Sequence, residues 1–391
     1  MTPAARLSAA IDILDRVLAG SPAEVVLTHW ARGNRYAGSG DRLALRDLVY
    51  DALRRRRSAA WVGGGRETGR ALALGTLRLS GQDPAPLFTG ERFAPAPLTG
   101  GDAGRALSEA PDAVRLDVPD WLLPRLRSDL GEAADEALEV LRHRAPVWLR
   151  VNSRRASTAA VAASLRAEGI GTRPHDDLKF ALEVTDNARK TRSSKAFPEG
   201  LFEFQDAHSQ AVTLLLGEVR GLPVLDYCAG GGGKALHLAD LGARVTAHDA
   251  HPARMRDLPA RAARAGVAIS PAATAALPGL GPWPLVLVDA PCSGSGTWRR
   301  DPEGKWALTP ERLAGLLETQ DSVLDAASAL VEAGGRLAWI TCSLLAAENR
   351  GRIATFLARH RGWSATAARL FMPGASGDGF SIEILARSPQ G

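Results

Sequence analysis

The chain has 391 residues, of which 45% are hydrophobic and 23% are charged. This length and balance predict two or three domains, each able to bury its own core. Three cysteines without a CxxC pair argue against a disulfide framework and a structural zinc site. Asp12, Asp15 and Arg16 interrupt the N-terminal apolar run, and no uncharged apolar run reaches membrane-spanning length. We therefore expect a cytoplasmic monomer that binds neither a membrane nor a metal ion.

The net charge of +5 fits a polyanionic partner without requiring one. Only five of the 48 basic residues are lysines, so each lysine is informative, above all Lys234 inside a glycine cluster. The densest basic run is 54–57, four arginines in succession. Such a run is typical either of a solvated helix end or of phosphate contacts.

The N-terminal third has the spacing of helices. Apolar residues recur every three or four positions up to about residue 78. From 81 to 104 prolines and glycines replace this pattern, which predicts a loop. We therefore predict an all-helical domain over 1–114 that ends in a Pro/Gly-rich tail.

A small α/β module is predicted over 115–200. The run VWLRVNS (147–153) is typical of a strand, and Ser157 is placed to cap the helix that follows it. The stretch 172–184 is strand-like again.

Residues 201–391 have the pattern of a doubly wound α/β sheet. Short buried runs alternate with helical stretches, namely LPVLDY, RVTAHD, VAIS, PLVLVDA and RLAWITC. A helix is predicted over 309–333, with Thr309 as its N-cap and Gly334-Gly335 at its end. FSIEILAR (380–387) supplies a final strand.

Each cysteine closes one of the apolar, strand-like runs, at Cys228, Cys292 and Cys342. The carboxyl ends of parallel strands share one edge of a sheet, where ligands bind, so the three thiols can meet in one cleft. The alternative is three buried, unreactive thiols, because free cysteine is among the most buried residue types.

The segment CAGGGGK (228–234) lies between a strand and a helix, as a nucleotide-cofactor loop does. Asp249 ends the next strand, where an acid can bind ribose hydroxyls. These features do not separate NAD from S-adenosylmethionine, since both carry adenosine. A phosphate-binding NTPase loop is excluded, because Cys228 replaces its first glycine and Ala235 its magnesium-binding hydroxyl residue.

Two strings resemble a known family. DAPCSGSG (289–296) and TCS (341–343) are similar to the Sun/Nop-type RNA cytosine-5 methyltransferases, in particular their bacterial ribosomal RNA branch, the RsmB-like enzymes. The resemblance extends to most of the chain through GLFEFQDAHSQ, VLDYCAGGGGK, DGFSIEILAR, LRVNS and GDRLALRDLVYDALRRR. It implies a class I methyltransferase sheet of the Rossmann type, an RNA-binding α/β module and a NusB-like RNA-binding helical domain. It also implies rRNA methylation as the function and small-subunit ribosomal RNA as the substrate.

The resemblance also explains why two thiols are needed. Carbon 5 of cytosine is a poor nucleophile until a thiolate adds at carbon 6 and forms a covalent, enamine-like intermediate. The residues alone leave the attacking cysteine open, because a Pro-Cys pair, like that at Cys292, attacks in DNA cytosine-5 methyltransferases. In the family resembled here the TCS cysteine attacks, which implies attack by Cys342 and product release by Cys292. The same resemblance makes Asp289 the partner of the target base and Lys234 a source of positive charge.

S-adenosylmethionine is the cofactor that the resemblance implies. The residues expected around it are Cys228, Ala229, Gly230, Gly231, Gly232, Gly233, Lys234, Asp249, Arg254 and Asp289. Cys228 is expected to belong to this loop rather than to act in catalysis. Arg299, Arg300 and Lys305 are expected beside the RNA, with a solvated charge cluster as the alternative.

The chain departs from the family pattern in three places. Gly230 and Gly231 stand where the family has Ala and Pro, which predicts a more flexible loop. The stretch 267–277 offers no acid near the adenine, and the loop 81–104 shortens the NusB-like domain. These departures motivate an alternative, a non-catalytic RNA-binding assembly factor that has lost cofactor affinity. An NAD-dependent oxidoreductase is a further alternative, but it leaves both cysteine motifs unexplained.

Overall fold

The structure is a computed structural model and describes residues 1–389. By their contacts the residues divide into two compact units, the first made of 1–144 and 298–308, the second of 145–297 and the chain from 309 onward. In chain order the helices are α1 (Pro3–Leu18), α2 (Ala23–Gly33), α3 (Ser39–Arg54), α4 (Arg56–Val62), α5 (Gly69–Leu79), α6 (Asp112–Arg115), α7 (Leu123–Leu130), α8 (Ala133–Leu141), α9 (Thr158–Ala167), α10 (Ala207–Leu214), α11 (Gly233–Asp240), α12 (Leu258–Ala265), α13 (Leu277–Leu280), α14 (Pro302–Ala307), α15 (Pro310–Ser328) and α16 (Arg350–Arg359). The strands are β1 (Val147–Val151), β2 (Thr172–Pro174), β3 (Ala181–Val184), β4 (Phe202–Phe204), β5 (Pro223–Asp226), β6 (Arg244–Ala247), β7 (Ile269–Pro271), β8 (Trp283–Asp289), β9 (Val331–Thr341), β10 (Trp363–Phe371) and β11 (Phe380–Arg387). Within residues 1–389 no helix combines the length and the apolar character that a membrane crossing needs.

The first unit is built from helices, as predicted for the N-terminal domain. Helix α1 shows why: Leu7, Ile13 and Leu14 line one face and are buried, while the Thr2 hydroxyl accepts the Ala5 N–H at 3.1 Å and caps the helix. The proline- and glycine-rich stretch 82–104 contains only short 3₁₀ turns, which agrees with the predicted loop.

Residues 298–308 pack inside this helical unit. Lys305 is 2% exposed and Arg299 is 3% exposed. The Lys305 ammonium donates to the carbonyl of Arg54 at 3.0 Å, and the Arg54 guanidinium donates to the carbonyl of Arg299 at 2.6 Å. The two expectations for Arg299 and Lys305, RNA contact or solvated charge, are therefore wrong, because both residues are buried within the protein. Of the three residues, only Arg300 is exposed.

The basic run 54–57 is engaged within the same unit. Besides the buried Arg54, Arg56 pairs with Glu67 at 2.6 Å and Arg57 pairs with Asp120 at 2.8 Å. These three arginines therefore form neither a solvated helix end nor a free phosphate-binding run. Their guanidinium groups pair with neighbouring carboxylates and donate to backbone carbonyls of the protein.

The second unit begins with a four-stranded antiparallel sheet in the order β2-β3-β1-β4. Helix α9 packs on it through Val161 and Leu165, both fully buried. Ser157 caps α9 as predicted, since its hydroxyl accepts the Ala160 N–H at 3.2 Å. The strand predicted over 147–153 ends at residue 151.

The larger sheet has seven strands in the order β10-β11-β9-β8-β5-β6-β7. Strands β5 to β9 are parallel, and β11 runs antiparallel to both β9 and β10. The predicted doubly wound α/β fold is confirmed. The strand order reverses between β5 and β8, so their carboxyl ends form the crevice in which such sheets bind ligands.

The helix predicted over 309–333 is shorter than expected, and the edge strand β10 was not predicted. Thr309 caps α15 as predicted, with its hydroxyl accepting the Arg312 N–H at 3.2 Å. The helix ends at Ser328 because β9 begins at Val331 and pairs with β8 from there. Gly334 lies inside β9 rather than beyond a helix.

The boundaries of the three predicted domains do not coincide with those of the two units. Residues 115–144, which hold α7 and α8, group with the helical unit. The strands of the small sheet begin only at Val147 and share a unit with the large sheet. The division into three domains therefore stays a prediction.

Candidate active site

The carboxyl ends of β5, β8 and β9 carry the three cysteine segments. Strand β8 lies between β5 and β9, so the residues after these strands share one edge of the sheet. The sulfur atoms of Cys292 and Cys342 lie 3.5 Å apart. Cys228 follows β5 as part of the glycine loop, and none of the three cysteines is fully buried. The sheet thus brings together the two thiols that the sequence analysis singled out.

The two neighbouring thiols differ in acidity. The hydrogen bond between them lowers the pKa of Cys342 and raises that of Cys292. The Thr297 hydroxyl, which donates to the Cys342 sulfur at 3.8 Å, and the charge of Lys234 lower the pKa of Cys342 further, against burial and the Asp289 charge. The reactive form of a cysteine is the thiolate, so this arrangement favours Cys342 as the nucleophile.

This asymmetry predicts the pH dependence of thiol alkylation. In the protein without RNA we expect iodoacetamide to label Cys342 with a midpoint below pH 9.0, the ordinary value, and Cys292 only at higher pH. Cys292→Ala should move the Cys342 midpoint upward, because it removes the largest cause of the lowered pKa. Mass spectrometry of each peptide measures the profiles. Two profiles with the same midpoint, unchanged in Cys292→Ala, would contradict the asymmetry.

A buried ion pair lies beside the thiols. Lys234, in the first turn of α11, is 6% exposed, and its ammonium lies 2.6 Å from a carboxylate oxygen of Asp289 at the end of β8. The same ammonium lies 5.2 Å from the centre of the Phe380 ring. Asp289 keeps 37% of its side chain exposed, so it can reach a bound molecule while Lys234 balances its charge.

The glycine loop 228–234 turns sharply between β5 and α11. Gly230 and Gly232 adopt φ angles of +52° and +82°, which side chains rarely allow. A Cβ atom at Gly232 would come within 2.2 Å of the Leu258 side chain, which would have to shift, so this contact and the positive φ angle together favour glycine. Burial raises the pKa of Cys228, at the start of the loop, which keeps this thiol protonated and unreactive.

Asp249 holds the loop from the next strand. Its carboxylate accepts the backbone N–H of Gly230 at 3.0 Å and that of His251 at 2.9 Å. Arg254 lies 3.5 Å from the same carboxylate and is largely exposed. The Arg261 guanidinium also donates to the carbonyl of Gly231. The loop that was expected to be more flexible is thus tied to the protein at two successive glycines.

Asp226, the last residue of β5, was not among the predicted site residues. It is 1% exposed, and neither carboxyl oxygen has a hydrogen-bond partner of good geometry in residues 1–389. Burial, with the negative charge of Asp289, raises its pKa to about 7, which Lys234 and the nearby Ala235 N–H offset only in part. A buried, unpartnered acid is the signal of a ligand site rather than of a folding core.

The raised pKa of Asp226 makes stability depend on pH. The folded carboxyl titrates at about 7 and the ordinary value is 3.8, so the folded state binds more protons between these pH values. The free energy of unfolding should therefore fall from pH 4 to pH 7, by on the order of 2–4 kcal/mol. Asp226→Asn should raise the urea midpoint at pH 8 and change it little at pH 4. The exposed Asp257→Asn is the control, and equal effects at both pH values would refute the assignment.

These residues fit S-adenosylmethionine, a molecule with a ribose diol, a carboxylate and an ammonium group. Gly232 at the start of α11 provides no side-chain cap, so the first N–H groups of the helix remain for a carboxylate. A Cβ atom at Gly233 would meet no protein atom within 4 Å, so the loop faces open space there. Asp226 and Asp249 carry carboxyl oxygens of the kind that accept hydrogen bonds from hydroxyl and ammonium groups.

The described residues offer no evident metal centre. In residues 1–389 no group of three or more His, Cys, Asp or Glu side chains is arranged to hold an ion.

Comparisons of the sequence identify related proteins. A family model for the 16S rRNA methyltransferase RsmB/F matches residues 213–384, and a model for an RsmF/B-like ferredoxin-like domain matches residues 118–189. Together they match more than half of the chain. The chain is 34% identical over 225 residues to a probable ribosomal RNA small subunit methyltransferase B of Synechocystis. This match covers 55% of this chain and 50% of that protein. It is 34% identical over 260 residues to the ribosomal RNA small subunit methyltransferase B of Sodalis glossinidius, which covers 64% of this chain and 60% of that one. The matches thus span about half to three fifths of these relatives.

Solved structures share the fold. PH0851 superposes with a TM-score of 0.77 and 21% identity, and the match covers 98% of this chain and 99% of that one. A methyltransferase homolog from Pyrococcus horikoshii superposes with a TM-score of 0.62 and 23% identity, over 71% of this chain and 97% of that one. On the two family models and the curated relatives, the chain belongs to the RsmB/F family of S-adenosylmethionine-dependent methyltransferases.

Proposed function

We propose that the protein methylates carbon 5 of a cytosine in RNA, with small-subunit ribosomal RNA as the substrate, through a covalent cysteine adduct. The observation that carries this proposal is the pair of thiols, Cys292 and Cys342, 3.5 Å apart at the ligand-binding edge of the sheet. A single nucleophile would suffice for most acyl or alkyl transfers. Two adjacent thiols fit a reaction in which a sulfur must first bond to a ring and later be expelled from it.

Cys342 is the nucleophile in this proposal. Its lowered pKa supplies the thiolate that bonds to carbon 6 and breaks the double bond between carbons 5 and 6. Asp289 is the partner of the ring at nitrogen 3: as negative charge develops there, it passes to that nitrogen a proton taken from the Lys234 ammonium, and it takes the proton back when the ring is released. Its part-exposed side chain, paired with Lys234, suits this task. The bound S-adenosylmethionine supplies the methyl group to carbon 5.

Cys292 acts in the second half of the reaction. After methylation the carbon 5 proton must leave, the double bond must re-form and the bond between carbon 6 and the Cys342 sulfur must break. Cys292 has a raised pKa and therefore holds its proton, which it passes to the departing Cys342 sulfur while its own sulfur takes the carbon 5 proton. The separation of 3.5 Å between the Cys292 and Cys342 sulfurs supports this role.

The cofactor-binding residues of the proposal are those of the glycine loop, 228–234, together with Asp249 and Arg254. Asp226 joins them as a buried acceptor below the loop. The loop geometry and the open space beside Gly233 support this assignment.

RNA is the partner of the proposal, and the charge distribution of the small α/β module supports it. Residues 188–195 (ARKTRSSK) contain four basic and no acidic residues. Lys190, Arg192 and Lys195 are exposed there, and Arg192 lies 5.2 Å from the Phe204 ring. Three of the five lysines of the chain fall in this module, at 179, 190 and 195. Such a segment suits the phosphate backbone of RNA.

The proposal is tested by incubating the protein with unmethylated 16S ribosomal RNA and methyl-labelled S-adenosylmethionine. We expect label in the RNA. By bisulfite sequencing we expect a methylated cytosine that is absent from RNA incubated with the protein but without S-adenosylmethionine. Calorimetry separates the alternative of a non-catalytic factor, which would bind RNA but not S-adenosylmethionine at millimolar concentration. Absence of both cofactor binding and methylation would refute the enzymatic proposal.

A further inference from the structure

One buried carboxylate lies between the two cysteine segments. Glu348 has no solvent exposure and follows β9 in a short 3₁₀ turn. One of its oxygens accepts the Ser293 N–H at 2.8 Å, and the other accepts the hydroxyls of Ser293, at 2.5 Å, and of Ser343. Ser293 and Ser343 directly follow Cys292 and Cys342 in the chain. A single side chain therefore holds the residue next to each thiol.

Neighbouring groups fix the position of this carboxylate. The Gln320 side chain, from α15, donates to Glu348 at 3.0 Å and to the carbonyl of Pro291, the residue before Cys292, at 2.9 Å. The indole of Trp339, on β9, donates to the Glu348 carbonyl at 3.0 Å. A buried carboxylate is costly unless it is fully hydrogen-bonded, and here four hydrogen bonds satisfy its two oxygens.

The arrangement suits a structural task that an apolar residue would not perform. Hydrogen bonds to a carboxylate are short and directional, so they set the spacing of the two serines more tightly than packing does. The two hydroxyls also approach one another, with the Ser293 and Ser343 oxygens 3.3 Å apart. The distance between the two sulfurs follows from this spacing, since each is one residue away. The negative charge of Glu348 also contributes to the raised pKa of Cys292, after the hydrogen bond to Cys342, burial and the charge of Cys342.

We propose that Glu348 is a positioning residue of the reaction: through Ser293 and Ser343 it holds the two thiols at the separation that attack and release require. The proposal rests on the proposed function, because it assigns a purpose to the spacing of the two thiols. Glu348 contacts neither sulfur directly in the hydrogen bonds described, so it acts through the serines.

The first test is Glu348→Gln, which keeps the size of the side chain and removes its charge. We expect a fall in kcat of about 10- to 100-fold with little change in KM for RNA. In the protein without RNA, we expect the alkylation midpoint of Cys292 to move to lower pH, toward that of Cys342. Calorimetry should show unchanged binding of S-adenosylmethionine, and circular dichroism an unchanged fold. Unchanged kcat together with unchanged alkylation profiles would overturn the proposal.

The second test separates the two hydrogen bonds and does not depend on Glu348→Gln folding. Ser343→Ala loosens the attacking cysteine, so we expect slower formation of the RNA adduct. Ser293→Ala loosens the releasing cysteine, so we expect the adduct to accumulate on a denaturing gel. The control is Ser322→Ala on the exposed face of α15, which removes a hydroxyl that donates to the backbone carbonyl of Glu318. If both serine variants behave like the control, Glu348 does not position the thiols.

The two tests can fail independently of the proposed function. If the wild-type protein methylates no RNA, the proposed function fails, yet the alkylation profiles still report whether Glu348 sets the two thiols. If the wild-type protein methylates RNA and the profiles do not respond to Glu348→Gln, the positioning proposal fails alone.

Discussion

Cys342→Ala should abolish methylation, with activity lowered by at least about 10⁴-fold, and should leave no covalent RNA adduct. Alanine cannot bond to carbon 6, so carbon 5 never becomes nucleophilic. Cys292→Ala should also lose turnover, yet it should form an adduct that persists on a denaturing gel, because the attacking sulfur is present and its release is impaired. The adduct should form more slowly than in the wild type, since the missing Cys292 thiol no longer lowers the pKa of Cys342.

The measurement is the fraction of labelled RNA that migrates with the protein, followed over time with and without S-adenosylmethionine. Cys228→Ala is the matched control, because its partly buried thiol has a raised pKa and lies in the glycine loop rather than beside the other two. It should form no lasting adduct. A persistent adduct in Cys342→Ala and none in Cys292→Ala would reverse the two roles, and methylation by the double variant would end the thiol mechanism.

The pairing of the thiols could be predicted from the sequence, and the physical reason is general. Parallel strands end on the same edge of a sheet. Residues at the carboxyl ends of neighbouring buried strands therefore lie close together, whatever the conformation of the loops. Glycine clusters are similarly informative, because few other residues adopt the positive φ angles of Gly230 and Gly232. The cysteines after apolar runs and the glycine cluster can both be recognised in a single sequence, because each depends only on residues that are close together in the chain.

The burial of charged residues could not be predicted in the same way. Lys305 and Arg299 look like exposed loop charges, and only the fold shows that both are buried and that the Lys305 ammonium donates to the backbone carbonyl of Arg54. Glu348, six residues after Cys342, resembles an ordinary carboxylate at the start of a helix. Strand β10 was missed because its residues are almost all exposed, so it lacks the alternation that reveals strands. Each of these depends on contacts between residues distant in the chain.

Lys234→Met should lower kcat by about 10²- to 10³-fold and raise the alkylation midpoint of Cys342. The substitution keeps an unbranched side chain only one atom shorter and removes the charge. Without the ammonium, the carboxylate of Asp289 lies unbalanced near Cys342, and its negative charge disfavours the thiolate. RNA affinity, measured by filter binding at fixed salt, should change little, because Lys234 is 6% exposed and pairs within the protein.

The double variant Lys234→Met with Asp289→Asn separates the two parts that this ion pair plays. Removing both charges should restore much of the Cys342 thiolate at neutral pH, since the repulsion from Asp289 is gone. Methylation should stay low, because the carboxyl that partners nitrogen 3 is also gone. Recovery of both alkylation and methylation would show that Asp289 serves only to balance Lys234 and does not contact the base. Recovery of neither, together with altered circular dichroism or lost cofactor binding, would show that the pair supports the fold of the site rather than its chemistry.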